Sequence, residues 1–161
     1  MKKPIHLYSW KTAIIISALL LAVVIISNFY GLFIDKFYFN KIDSYLFAIL
    51  TLVHLAYLYA FWYKLEENEY PDNEMRNLEY CLYIVFAVYA YKLIDTASLL
   101  FGYTNYKDLI LPETFLPVGI GIVLSYLFLC LLTLQLFSIR KNKIGDYTID
   151  SIREEELDTW L

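Results

Sequence analysis

The chain is poor in the residues that most soluble chemistry uses. Among 161 residues there are two histidines, two cysteines, five glycines and four prolines. No HExxH, GxSxG, Walker loop or histidine-rich cluster occurs. The metallopeptidase, hydrolase, P-loop and membrane di-iron classes therefore have no support. Cys81 and Cys130 lie in apolar segments with no second Cys or His at metal-ligand spacing, which removes a zinc site or a CxxC redox pair and leaves packing residues. Two-histidine haem ligation is disfavoured by placement, because His6 precedes the first apolar run while His54 lies deep in the second. Basic residues are also scarce, with 13 Lys and Arg against 17 Asp and Glu and a formal charge of −4. That removes the basic footprint of a nucleic-acid binder. Neither a cofactor nor a catalytic residue is expected.

Apolar side chains are abundant: 60% of the residues are hydrophobic and 19% aromatic, against about 45–50% apolar in soluble domains. About 20 apolar residues cross a bilayer as a helix. Four segments meet that length, residues 12–33, 44–63, 80–101 and 115–139. The fold class is an all-α, integral membrane four-helix bundle over residues 1–143, followed by a tail of residues 144–161. The first run is longer than a signal-peptide core and has no A-x-A-like exit, so it reads as a retained anchor. No lipidation motif adds a second anchor.

Orientation follows from where Lys and Arg fall. Nine (Lys2, Lys3, Lys11, Lys64, Arg76, Arg140, Lys141, Lys143 and Arg153) lie on one side of the spans, and three (Lys36, Lys41 and Lys107) on the other. Both termini are expected in the cytoplasm, and the preferred location is a bacterial inner membrane. Trp10, Trp62, Tyr63, Tyr103 and Tyr106 stand where an aromatic belt meets the headgroups. The two outer loops are aromatic and short of charge, which suits a position against the membrane surface. Residues 64–79 carry six acids against Lys64 and Arg76 and read as a solvated connector, with a helix starting after Pro71 and Asp72. In the tail, Ser151 and Glu154 form an S-x-x-E capping box. A short amphipathic helix with an acidic outer side is expected there, docked on the bundle or on a protein rather than on anionic lipid.

One constellation stands out. Lys92 and Asp95 sit three residues apart within the third span, where each ionisable side chain costs about 2.5–3.5 kcal/mol even on lenient insertion scales. They share a helix face and are close enough to pair. His54 lies at similar depth on the preceding span, so Lys92, Asp95 and His54 form a candidate intramembrane polar site. Small residues suggest helix contacts at Ala18 and Ala22, at Ala48, Ala56 and Ala60, and at Gly121 with Ser125. The expected function is binding to another membrane protein, or self-association, as an accessory, assembly, immunity or exclusion-type component within the lipid bilayer. The alternative is a small proton-coupled transporter or channel subunit using Lys92, Asp95 and His54.

Overall fold

A computed structural model describes residues 9–103 and 111–147. Four helices dominate it: α1 (Trp10–Asn28), α2 (Ile42–Glu67), α3 (Asn73–Phe101) and α4 (Phe115–Lys143). All four are long and apolar enough to cross a membrane. They form an up-and-down ring in which α1 packs on α2 and α4, and α3 packs on α2 and α4. The beginnings of α1 and α3 and the ends of α2 and α4 therefore share one end of the bundle. Ala13, Leu21, Phe47, Leu82, Leu129 and Leu136 belong to the shared core. Many other large apolar side chains face outward, as lipid allows and water does not.

The first span is shorter than its apolar run. Helix α1 stops at Asn28, and residues beyond it enter a hairpin of two short strands, β1 (Tyr30–Gly31) and β2 (Lys36–Phe37). Tyr30 faces Phe37 and Gly31 faces Lys36 across the antiparallel pair. The helix therefore ends five residues before the apolar run does at residue 33, while the all-α class stands, with this hairpin a minor addition to the four helices. Hydropathy counts apolar residues without regard to their conformation, while Gly31 and the aromatic residues around it favour a turn and strands. Asp35 closes the turn with φ of 54°, a left-handed conformation that Asp tolerates better than most residues. Its carboxylate accepts the Tyr30 hydroxyl proton, and that bond holds the Asp35 carboxyl below its ordinary range.

At this end Asn28 ties three helices. Its side-chain nitrogen donates to the Val24 carbonyl at 2.9 Å and to the Tyr126 hydroxyl at 2.7 Å. Ser44 donates to the Asn28 carbonyl at 2.6 Å. These bonds satisfy groups that a helix end leaves open. Gly119 lets α3 and α4 approach, since a Cβ there would stand 2.6 Å from the Leu100 side chain.

The connector between α2 and α3 is not solvated throughout. Lys64 is buried and bonds Glu69 at 2.9 Å and Asp72 at 2.8 Å. Asp72 also caps α3 by accepting from the Met75 N–H at 2.6 Å, which confirms the helix start expected after Pro71 and Asp72. The largest departure from the solvated reading is Glu79, only 1% exposed. Its Oε1 accepts from Arg140 Nη2 at 2.6 Å and from the Tyr83 hydroxyl at 2.9 Å. Its Oε2 accepts from Arg140 Nε and from the Tyr147 hydroxyl, both at 2.8 Å. Arg140 Nη1 donates to the Gly145 carbonyl at 3.0 Å, and the guanidinium stacks over the Tyr147 ring at 4.4 Å. The first residues after α4 thus fold back onto the bundle. The capping box at Ser151 and Glu154 lies outside the described residues.

A buried pair broken on one side costs about 3–5 kcal/mol, because the remaining charge is stranded. Glu79→Gln and Arg140→Met are each expected to lose that much in detergent unfolding, and Glu79→Leu combined with Arg140→Met to recover most of it. Additive losses in the double variant would contradict this. The Tyr147 hydroxyl is raised above its ordinary pKa, first by burial and then by its bond to the Glu79 carboxylate. Its contribution to stability is present below about pH 10, the unfolded value, and is lost as pH rises through the higher folded value. Tyr147→Phe should remove one late phenolate step from the 295 nm titration.

Candidate functional site

Helices α2 and α3 part towards the hairpin end and leave a cleft. It is a volume of about 420 Å³ lined by Lys41, Asp43, Leu46, Phe47, Leu50, Val88, Tyr91, Lys92 and Asp95. A smaller cavity of about 110 Å³ shares Lys41, Lys92 and Asp95 with it and reaches Asn28, Thr96, Ile122 and Tyr126. Each wall has a local cause. Lys41 is the cap residue just before α2 and Asp43 lies in its first turn, where Ser44 is held by Asn28. Lys92 and Asp95 come from α3, whose Thr96 hydroxyl is bonded back to the Lys92 carbonyl at 2.9 Å. That bond keeps Thr96 buried and inward while its neighbours face the cleft.

Lys92 is half-buried and Asp95 exposed. The two line the same cavities, yet no ion pair joins them or engages either one among the described residues. Two cations and two carboxylates, Lys41, Lys92, Asp43 and Asp95, therefore face one opening with balanced charge. In the smaller cavity the Tyr126 oxygen accepts from Asn28, leaving its own proton for another acceptor.

His54 does not line either cavity. It is fully buried, and its Nδ1 lies 3.3 Å from the Tyr89 hydroxyl. The His54 and Tyr89 rings lie 5.8 Å apart. Since Tyr89 precedes Lys92 by about one helical turn, the predicted residues occupy adjacent layers rather than one contact network. The His54 Nε2, the Tyr57 hydroxyl and the Ser17 hydroxyl are buried with no hydrogen-bond partner among the described residues. Sequence reasoning missed Lys41, Asn28 and Tyr126 as neighbours of Lys92. In the sequence Lys41 signals only a side of the membrane, and Tyr126 looks like any aromatic in an apolar run.

The small-residue steps sit mostly at the periphery. Ala56 and Gly121 are exposed, while Ala48, Ala60 and Ser125 are half-buried. Of the two cysteines, Cys130 is buried and Cys81 faces outward from α3. Among the described residues no group of three His, Cys, Asp or Glu could hold a metal.

The fold and the lipid-facing apolar surface define the class, a four-helix membrane protein. Comparison with protein-family models, curated proteins and solved structures found no match.

Because Lys92 and Asp95 hold no ion pair among the described residues, Lys92→Met and Asp95→Asn should leave the unfolding of the detergent-dispersed monomer within about 0.5 kcal/mol of the parent. Losses equal to that of Arg140→Met would show instead that the two charges brace the bundle.

Proposed function

We propose that the protein is a non-catalytic component of a membrane complex, of the accessory, assembly, immunity or exclusion type, that binds another membrane protein through the α3 side of the cleft. The observation that carries this reading is the state of Asp95. It is an exposed carboxylate on a helix long enough to span a bilayer, with no cation on it among the described residues. A charge facing hydrocarbon is costly unless a protein group or water meets it. Lys92, beside it, supplies the opposite charge, so the face can both donate to and accept from a second protein.

In this reading the bundle is oriented with both termini in the cytoplasm of a bacterial inner membrane. The end that carries Lys11, Lys64, Arg76, Arg140, Lys141 and Lys143 supports that orientation, against Lys36 and Lys41 at the hairpin end. Proton transport is the competing reading, and the nearness of the His54 and Tyr89 layer to Lys92 is what favours it.

Recovery from native membranes in a mild detergent separates the two. Lys92→Met with Asp95→Leu is expected to abolish co-recovery of the bound protein while insertion is retained. In proteoliposomes the parent should show no pH-driven flux. Flux that disappears in the double variant would establish transport and overturn the binding role.

A further inference from the structure

We infer that the protein held at this face is a second copy of the same chain, joined along α3 about a two-fold axis parallel to the membrane normal. The inference rests on the binding role just proposed and names its partner.

Helix α3 carries an uncovered stripe at coiled-coil spacing. Cys81, Ile84, Val88, Tyr91, Asp95 and Ser98 follow one another at steps of three, four, three, four and three. All are exposed except Val88, which is half-buried at the cleft. Alternating steps of three and four keep one seam facing a partner helix. The helix is also the least covered of the four, with 17% of its most apolar window buried against 39% for α2 and α4. Lipid could cover an apolar stripe, but this one includes a carboxylate and a tyrosine, Asp95 and Tyr91.

Charge complementarity selects the occupant. The cleft presents Lys41 and Lys92 with Asp43 and Asp95, so neither a basic nor an acidic partner matches all of it. A second copy does. All copies insert with the same orientation, so two α3 helices run parallel and a residue keeps its depth across the axis. Positions 92 and 95 lie about 60° apart around the helix, at about 100° per residue. The two-fold sets the side bearing Lys92 on one copy against the side bearing Asp95 on the other, twice. The depth offset is about 4.5 Å, within the reach of a lysine side chain. Such a self-complementary patch is the mark of an isologous interface.

The test uses the full chain in its native membranes. Mild oxidation is expected to link Cys81 to Cys81 of the other copy, a product lost in Cys81→Ser and kept in Cys130→Ser. A cysteine moved to the lipid side, Ile94→Cys with Cys81→Ser, should give none. In co-recovery of two differently tagged copies, Asp95→Lys alone and Lys92→Asp alone should each lower recovery about tenfold, since like charges then face each other. One copy carrying Asp95→Lys mixed with one carrying Lys92→Asp should restore it, which a folding defect in either variant could not do. A monomeric parent that carries a different membrane protein in a manner dependent on Lys92 and Asp95 overturns the self-pairing and leaves the binding role standing. A monomer that retains only phospholipid overturns both.

Discussion

The bond between Glu79 and Arg140 sets the arrangement of this bundle. Two ions leave water only when the lost hydration is replaced, and here Glu79 accepts four hydrogen bonds and Arg140 donates three. The bidentate geometry adds direction to strength. It joins the start of α3 to the end of α4 and gathers Tyr83 and Tyr147 onto the same carboxylate. The interaction also fixes how α3 is rotated. Asp95 is sixteen residues beyond Glu79, which at about 100° per residue places it about 160° around the axis. Glu79 facing inward against α4 therefore turns Asp95 outward.

The two ends of the bundle treat charge in opposite ways. At the end with Glu79, Lys64 and Arg140, these three ionised groups are buried and paired, and Lys64 further locks the turn that caps α3. At the hairpin end Asn28, Ser44 and Tyr126 hold the helices through neutral hydrogen bonds. The charged residues there, Lys41, Asp43, Lys92 and Asp95, line open volume instead. One end thus buries its ion pairs, and the other sets balanced charges around open volume.

Much of this was legible in the sequence, for physical reasons that differ by residue. The four spans could be read because length and apolarity are what a bilayer demands. Lys92 and Asp95 could be found because charge at that depth is rare. Glu79 and Arg140 could not be paired. They are 61 positions apart, and each sits among charged residues that read as a solvated connector around Glu79 and as orientation-setting cations around Arg140. The hairpin at Tyr30 and Phe37 was hidden for another reason, since aromatic residues raise hydropathy whether they extend a helix or form strands.

Which way each helix faces was the hardest thing to read, and the cause is the solvent. In water an apolar stripe points to the core, whereas in lipid both sides of a helix are apolar and the stripe loses its meaning. The alanines of α2 illustrate this: Ala56 is exposed, although its spacing suggested a helix contact. Gly119, which does admit close packing, belonged to no recognised step. Charged residues are then the remaining indicators of direction, because an ion taken out of water needs an opposite charge or a polar neighbour. Glu79 found Arg140 and points inward. Asp95 meets no cation among the described residues and points outward.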